Sequence, residues 1–272
     1  MAAAPQYHMT TPHIEPRRRA DMGVVRILLC IALSVAFATH ARAPAAAEDH
    51  RPWNLLVQKY VDDNGRVAYR RLQAEDLPVL SKYLASLGEA RIDGFPEKEQ
   101  LAFWINAYNA MIVQGILDGY SAENAFKRYR FFKSYSQVIT GEKRTPDDVE
   151  HGIIRPQFHD PRTHFALVCA STSCPKLRRE AYVGSRLDEQ LDDQVRRFLS
   201  DPSRNRIDPV TGTLELSQIF KWFKEDFTRD GKSLADFLAP YLTPEQVQVL
   251  RTKEPGYLEY DWTMNAQPGQ RP

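Results

Sequence analysis

LAFWINAYNAMIVQGIL, residues 101–117, predicts the element around which this 272-residue chain folds. It contains no charged side chain, and its apolar residues recur at i, i+3 and i+4 spacing. Glu97 and Glu99 precede it at the positive end of a helix dipole, and Asp118 and Gly119 follow it as a stop signal. A helix without a polar face must be buried nearly all round. The stretch therefore predicts a central helix against which the other elements pack.

Two amides interrupt the apolar surface of this predicted helix. Asn106 and Asn109 are three residues apart and project together from its flank. A buried amide without a partner costs about 1–3 kcal/mol, so both side chains must find hydrogen bonds. One interpretation is structural, with the amides bonded to neighbouring backbone. The other is catalytic, with one amide facing a cleft, where it orients a histidine or holds an oxyanion.

Composition and charge limit the class of protein. Hydrophobic residues make up 43% of the chain and aromatic residues 11%, enough for a real core. The 36 basic and 35 acidic side chains nearly cancel, so no overall field attracts nucleic acid or an anionic membrane. No glycine-rich phosphate loop is present. We expect a globular monomer that binds neither nucleic acid nor a cofactor.

The first 47 residues have the pattern of a cleaved signal peptide with an N-terminal extension. Four arginines precede an uncharged apolar run at residues 27–38, and an alanine-rich stretch with A-x-A sites follows it. The run is shorter than the ~20 residues that cross a bilayer, which argues against a permanent membrane anchor. Cys30 lies in this run and is expected to be lost on cleavage. We therefore predict a periplasmic or secreted protein whose partner is an unknown envelope or extracellular ligand.

Turn and periodicity signals predict a single α+β domain, mostly helical, with a small mixed or antiparallel sheet. Asp63-Asn64-Gly65 is a hairpin turn, residues 207–216 form a second hairpin, and residues 257–262 alternate as a terminal strand. Side-chain caps at helix starts are predicted for Thr145, Ser185, Ser217, Ser233 and Thr243. We expect the folded domain at residues 48–266 and a disordered tail at residues 267–272.

HFALVCASTSCP, residues 164–175, concentrates the reactive chemistry of the chain. It holds both cysteines outside the predicted leader, Cys169 and Cys174. His164 to Cys169 is predicted to be a buried strand, which would point these two side chains to opposite faces and disfavour a simple dyad. The small residues that follow form a loop at the strand end, where functional side chains are often displayed.

Three interpretations of the cysteines remain open at this stage. A Cys169–Cys174 disulfide is expected in an oxidising compartment. A thiolate nucleophile activated by histidine is the catalytic alternative. Metal binding is disfavoured because the chain has no tight C-x-x-C or H-x-x-x-H pair, so no metal site is predicted.

Two further segments carry candidate functional residues. A short helix predicted after Thr145 places His151 next to Glu150 and one turn before Arg155, which suits either a carboxylate-tuned base or an ordinary surface histidine. FKRYRFFKSY, residues 126–135, interleaves basic and aromatic side chains. Behind a signal peptide, a solvated edge or a basic rim for an anionic wall component suits this segment better than nucleic-acid stacking.

Five motifs in this order resemble the DUF547 family of uncharacterised domains, over nearly the whole of residues 53–265. They are FWINAYNAMIVQGIL, EHGIIR, DPRTHFALVCASTSCPKLR, LSQIFKWFKEDF and YLEYDWTMN. The family pattern H-F-A-L-x-C-x-S-x-S-x-P matches His164, Cys169, Ser171, Ser173 and Pro175. Its E-H-x-x-x-R segment matches Glu150, His151 and Arg155, and its N-A-Y-N helix matches Asn106 and Asn109. Some relatives have serine at the position of Cys174, so the resemblance does not imply an obligatory disulfide.

The resemblance implies one domain and supplies no activity. The leading hypothesis is thiol-dependent acyl transfer or amide hydrolysis on an envelope substrate. Its predicted catalytic residues are Cys169, Cys174, His151, His164, Glu150, Asn106 and Asn109. Its predicted substrate-binding residues are Arg155, Ser171 and Ser173. The alternative is a non-enzymatic binding module whose loop is closed by a Cys169–Cys174 disulfide.

Overall fold

The central helix predicted from residues 101–117 is present, and it organises the fold. In a computed structural model, which describes residues 49–272, it runs over Glu97–Leu117 and is called α4. Every residue of the uncharged stretch is buried. The absence of a polar face in the sequence therefore correctly predicted burial on all sides.

Helices dominate the rest of the described chain, as predicted for a mostly helical α+β fold. The α-helices are α1 (Arg51–Tyr60), α2 (Tyr69–Glu75), α3 (Leu77–Glu89), α4, α5 (Ala125–Lys133), α6 (Pro146–Val149), α7 (Arg155–Phe158), α8 (Leu187–Leu199), α9 (Gln218–Trp222), α10 (Lys224–Phe227), α11 (Leu234–Leu238) and α12 (Pro244–Thr252). Short 3₁₀-helices cover Pro161–Phe165, Gly184–Arg186, Arg229–Gly231 and Ala239–Tyr241, and a π-helix covers Glu150–Ile154.

Two small sheets complete the described part of the chain. The strands are β1 (Gln137–Ile139), β2 (Glu142–Arg144), β3 (Arg206–Asp208), β4 (Thr213–Leu216) and β5 (Gly256–Tyr257). β1 and β2 form an antiparallel pair. The second sheet is mixed, because β4 pairs antiparallel with β3 and parallel with β5. The predicted small sheet and the hairpin near residues 207–216 are thus confirmed.

The core consists of two hydrophobic clusters, and the chain passes from one to the other beside the cysteines. One cluster surrounds α4, and the other gathers aromatic residues from α8 to α11. Phe165 belongs to the second cluster, whereas Leu167 and Val168 belong to the first. Residues 164–175 therefore lie at the junction of the clusters, and this position sets up the site described below.

Several local predictions are confirmed and others are wrong. Side-chain caps at Thr145, Ser217, Ser233 and Thr243 are present, but the helix predicted to start at Ser185 has no side-chain cap. The terminal strand predicted for residues 257–262 shrinks to β5. Beyond β5 the chain pairs with the cysteine loop instead, through an antiparallel bridge between Ser171 and Met264.

The C-terminal residues differ from the expected disordered tail. The backbone N–H of Gln267 donates to the carbonyl of Val67 (3.0 Å), and that of Arg70 donates to the carbonyl of Gln270 (3.1 Å). These bonds attach the tail to Val67, between α1 and α2, and to the first turn of α2. A tail with its own backbone partners is held in place, which composition alone could not reveal.

The predicted signal peptide, residues 1–47 including Cys30, lies outside the described residues. Within residues 49–272 no helix combines the length and the apolar character that crossing a bilayer requires. All of the described residues belong to one compact unit.

Candidate functional site

The backbone of the cysteine segment is not the buried strand that the sequence predicted. Pro161–Phe165 is a 3₁₀-helix that includes His164, and residues 167–169 belong to no regular secondary structure. The physical reason is Asn109. Its side-chain N–H donates to the carbonyl of Ala166 (2.9 Å), and its carbonyl accepts from the backbone N–H of Val168 (3.0 Å). The amide takes the backbone groups that a neighbouring strand would otherwise use.

Asn106 performs the same task one turn earlier on α4. Its amide donates to the carbonyl of Tyr182 (2.8 Å) and accepts from the backbone N–H of the same residue (2.9 Å). Both asparagines are thus fully paired with backbone, as in the structural interpretation. Neither side chain lines the cavity described next. They hold the segments that carry the site, so we assign them positioning roles.

An apolar cavity of about 340 Å³ lies at the junction of the two core clusters, and both Cys169 and Cys174 lie in its wall. Aromatic residues form a large part of that wall, and they come from α4, α5, the C-terminal end of α9 and the residue after it, and the C-terminal segment. The wall is formed by Tyr108, Arg128, Tyr129, Phe132, Lys133, Asp147, Glu150, His151, His164, Leu167, Cys169, Cys174, Pro175, Ile219, Trp222, Phe223, Tyr260 and Trp262. A concave, mostly apolar site with a few converging polar groups is the usual form of a small-molecule or active site.

The cysteine loop is held against the C-terminal segment. The backbone N–H of Thr172 donates to the carbonyl of Thr263 (2.7 Å), and that of Ser173 donates to the carbonyl of Asp261 (3.1 Å). Arg204 clamps the other side, because its guanidinium donates to the carbonyls of Thr172 (2.7 Å) and Cys174 (3.0 Å). This double attachment fixes the loop that presents Cys169 to the cavity.

Cys169 is a free, half-buried thiol surrounded by hydrogen-bond donors. Its sulfur lies 2.9 Å from Ser171 Oγ and 3.4 Å from the Tyr260 hydroxyl. Between Cys169 and Ser171, Ala170 adopts the left-handed conformation with φ of 61°. Such a conformation costs a non-glycine residue about 1–2 kcal/mol and often marks a functional turn. Here it accompanies a turn that brings Ser171 back to the sulfur.

These contacts change the acidity of the thiol. Burial opposes ionisation of Cys169, but hydrogen bonds from Cys174, Ser171 and Tyr260 outweigh it and lower its pKa to about 7. Burial and the neighbouring Cys169 charge raise the pKa of Cys174 well above its usual range. The pair therefore ionises at Cys169 and keeps its proton on Cys174. A low-pKa thiol at an accessible position is the form in which cysteine acts as a nucleophile.

Glu150 shows the opposite shift. It is the first residue of the π-helix and lines the cavity, and its Oε2 accepts a hydrogen bond from the Tyr108 hydroxyl (3.2 Å). Burial raises the pKa of Glu150, although the nearby His151 and Arg155 lower it in part. A π-turn within a helix is uncommon and frequently occurs at functional sites. The cavity thus joins a thiol that ionises easily with a carboxyl group that ionises reluctantly.

The two predicted histidines lie in the cavity wall, and one ring nitrogen of each is hydrogen-bonded to a residue other than a cysteine. His164 Nε2 is 2.7 Å from Asp226 Oδ2, and its ring stacks on Phe223 with 4.0 Å between centroids. His151 Nδ1 accepts from the guanidinium of Arg155 (2.9 Å). Within residues 49–272 neither histidine forms a hydrogen bond with a cysteine sulfur. The carboxylate nearest to the His151 ring nitrogen Nε2 is Asp147 (3.7 Å), and not the adjacent Glu150.

Arg155, Ser171 and Ser173 were predicted to bind substrate, and the structure places all three outside the cavity wall. Arg155 Nε donates to Asp226 (2.6 Å), so its charge is used within the protein. Ser171 contacts the Cys169 sulfur, and Ser173 Oγ accepts from the backbone N–H of Asp261 (2.9 Å). In the described part of the chain no group of three or more histidine, cysteine or acidic side chains is arranged to hold a metal ion.

Sequence reasoning missed three residues that the site depends on. Tyr108 and Tyr260 supply hydroxyl groups, and Asp226 anchors His164. The hydrogen bonds from His164 and Arg155 hold the pKa of the Asp226 carboxyl well below its usual range despite its burial. All three lie inside motifs quoted above, so those motifs could have identified them as candidates. Their roles depend on long-range contacts that the motifs do not reveal.

The basic-aromatic segment at residues 126–135 also has a function in the site that its composition did not specify. Most of it is α5, which contributes Arg128, Tyr129, Phe132 and Lys133 to the cavity wall. The Arg128 guanidinium lies 4.0 Å from the centre of the Trp262 ring. The segment is therefore one side of the cavity and not merely a solvated edge.

The fold and the site together define a mostly helical α+β protein with an acidic free thiol in an aromatic cavity. Residues 92–199 match the sequence profile of the family described as "Protein of unknown function, DUF547". The match covers part of the chain, from α4 to α8, and includes Cys169, Cys174 and Glu150. Comparison with curated proteins and with solved structures gives no match.

The contacts of Cys169 predict an unusual pH dependence of its alkylation. The rate with iodoacetamide should rise with a midpoint near pH 7, because the pKa of Cys169 is lowered to about 7 and the thiolate is the reactive form. Tyr260→Phe should raise the midpoint by about one to two pH units, since a hydrogen bond to a charged group is worth about 1.5–3 kcal/mol. Ser173→Ala is the matched control, because its hydroxyl bonds to Asp261 instead of the sulfur. A midpoint that moved in His151→Gln but not in Tyr260→Phe would contradict this account.

Proposed function

We propose that this protein is a thiol-dependent enzyme that transfers or hydrolyses acyl groups of esters or amides. The observation that carries the proposal is the environment of Cys169, whose sulfur faces the cavity within hydrogen-bond distance of Ser171 and Tyr260. These donors stabilise a thiolate at neutral pH. A thiolate beside an apolar cavity is suited to covalent catalysis on a carbonyl carbon.

Glu150 is the acid that this chemistry needs. Burial raises the pKa of the Glu150 carboxyl group, so this group holds its proton more firmly than an exposed glutamate does and is suited to give it to a leaving group. Two titratable groups with pKa values shifted in opposite directions indicate how the roles of nucleophile and acid are divided. Tyr108, hydrogen-bonded to Glu150, stays protonated because burial raises its own pKa. It thereby orients the carboxyl group within the cavity.

The reaction balances with these residues alone. The Cys169 thiolate attacks the carbonyl carbon, the C–S bond forms, and the bond to the leaving oxygen or nitrogen breaks as Glu150 supplies a proton. Water then attacks the thioester while the Glu150 carboxylate takes a proton from it. The C–S bond breaks, and thiolate and protonated carboxyl group are restored. Tyr260, whose pKa is raised by burial and which stays protonated, is placed to donate a hydrogen bond to the oxyanion.

The cavity supports a substrate with an apolar portion. Its aromatic wall and its volume of about 340 Å³ suit an aromatic side chain or a medium-length acyl chain. His164 forms part of this wall, and burial lowers its pKa although the neighbouring Asp226 carboxylate acts in the opposite direction. The proposal that the substrate belongs to the cell envelope rests on the export-like sequence of residues 1–47 alone.

The proposal is tested by trapping the acyl-enzyme. Reduced protein is treated with p-nitrophenyl esters of aromatic and aliphatic acids and then analysed by mass spectrometry. One acyl group per chain is expected on Cys169, and it should be released by hydroxylamine. Cys169→Ala should carry no such adduct, whereas His159→Asn, an exposed histidine outside the cavity wall, should react like the unmodified chain. Acylation of lysines only, or equal adduct in Cys169→Ala, would contradict the proposal.

A further inference from the structure

Cys174 is a second thiol for which the proposed acyl-transfer chemistry has no use. It lies in the same cavity wall, but only 4% of its surface is exposed. The backbone N–H of Cys169 donates to its sulfur (2.8 Å), and the two thiols are close enough that each shifts the pKa of the other. Cys174 is therefore the immediate neighbour of the reactive thiol while being shielded from other molecules.

We propose that Cys169 and Cys174 form a reversible redox centre in which a hydroperoxide oxidises Cys169 and Cys174 closes an intramolecular disulfide. This modification takes place in the site of the proposed function, and only its effect on activity rests on that function. If Cys169 is the nucleophile, the disulfide switches acyl transfer off. The formation of the disulfide itself needs only the two thiols and the oxidant.

The chemistry takes place in two balanced steps. The Cys169 thiolate attacks one oxygen of the hydroperoxide, so an S–O bond forms and the O–O bond breaks. The leaving oxygen takes a proton, and Cys169 becomes a sulfenic acid. The Cys174 sulfur then attacks the Cys169 sulfur, the S–S bond forms and the S–O bond breaks. The hydroxide takes the Cys174 proton and leaves as water, so two thiols are oxidised and one peroxide is reduced.

The geometry explains the order of these steps. Cys169 is half-buried and faces the cavity, so a small peroxide reaches it first. Cys174 holds its proton partly because the Cys169 charge raises its pKa. Once Cys169 is an uncharged sulfenic acid, that repulsion ends. The Cys169 N–H that donates to the Cys174 sulfur then favours the thiolate needed for the second step.

The attachment of the loop keeps the disulfide within one chain. Arg204 holds the carbonyls of Thr172 and Cys174, and residues 261–263 hold the opposite side of the loop. The loop between the cysteines therefore stays in place during oxidation. Because Cys174 is buried, a cysteine of a second chain would have to displace this loop to reach it.

The test uses the full chain with Cys30→Ser in every sample, so that two thiols remain. Treatment with a few equivalents of hydrogen peroxide at pH 7 should remove two hydrogens per chain, about 2 Da. Peptide mapping should find a Cys169–Cys174 link that dithiothreitol reverses. In Cys174→Ser the sulfenic acid should persist. Dimedone labelling of Cys169 should then be at least about tenfold higher than in the protein that retains both cysteines. Ser173→Ala, beside Cys174 but without a sulfur contact, is the matched control.

Two results would overturn the inference: equal dimedone labelling with and without Cys174, or a disulfide that joins two chains. Acylation of the reduced protein by p-nitrophenyl esters is measured in parallel. If the reduced protein is acylated but never forms the internal disulfide, the redox inference fails and the proposed function stands. If the disulfide forms but Cys169 is not acylated, the proposed function fails and the redox centre stands.

Discussion

Replacing Glu150 with glutamine is expected to slow turnover of amides and alkyl esters by about 100- to 10,000-fold, the usual contribution of a positioned general acid. Glutamine keeps the size of the side chain and can still accept the hydrogen bond from Tyr108. It has no acidic proton to give to the leaving group. The thiolate at Cys169 remains, so the defect should lie in the step that breaks the bond to the leaving group.

The identity of the leaving group separates this role from a structural one. A p-nitrophenolate leaves without protonation. Cys169 in the Glu150→Gln variant should therefore be acylated by p-nitrophenyl esters at nearly the rate of the unmodified chain. Rates are measured for a series of esters and amides with leaving groups of increasing pKa. Glu142→Gln, an exposed glutamate in β2, serves as the control and should follow the unmodified chain throughout. A loss that is the same for every leaving group would show that Glu150 acts by supporting the fold.

Asn109→Leu is expected to lower the free energy of unfolding by about 2–6 kcal/mol. The substitution leaves two buried backbone groups without partners, the carbonyl of Ala166 and the N–H of Val168, and each costs about 1–3 kcal/mol. This is a large part of the 5–15 kcal/mol that typically stabilises a domain. The loss should appear as a lower midpoint in urea unfolding, with the slope unchanged.

Gln114→Leu on the same helix is the matched control for Asn109. Its side-chain N–H bonds to the side chain of Asp118 (2.9 Å) and not to backbone, so its loss should cost no more than about 1.5 kcal/mol. If Asn109→Leu is too unstable to purify, Asn109→Gln is measured instead, because it keeps an uncharged amide donor and acceptor on this side chain and should show a smaller loss. Equal stability of Asn109→Leu and Gln114→Leu would contradict the positioning role.

The loss of Asn109 should also affect the thiol. Val168 directly precedes Cys169, so release of its N–H loosens the backbone that presents the sulfur to Ser171 and Tyr260. The alkylation midpoint of a folded Asn109 variant should therefore move upward from pH 7 toward about 8.5, the ordinary value for a thiol. This second readout links the central helix to the chemistry of the site.

The sequence correctly indicated which segments line the cavity, but it did not indicate which groups form hydrogen bonds with the Cys169 sulfur. The stretch at residues 164–175 does form part of the cavity wall, and Glu150 and His151 lie there as well. The pairing of a cysteine with a histidine was expected to supply the thiolate, yet the sulfur contacts hydroxyl groups of Ser171 and Tyr260. Tyr260 lies 91 residues away along the chain, and periodicity carries no information over such a separation.

Local patterns in the sequence were sufficient to predict the central helix, most of the helix caps and the mostly helical α+β class. These features follow from local rules, because side-chain spacing and capping residues act within one or two turns. Three features could be seen only in the folded chain. Asn109 replaces a strand partner for residues 166–168, and the C-terminal segment holds the cysteine loop. The pKa values of Cys169 and Glu150 are shifted in opposite directions. The physical reason is that hydrogen bonding and burial depend on groups that only folding brings together, and the chemistry of Cys169 depends on those groups.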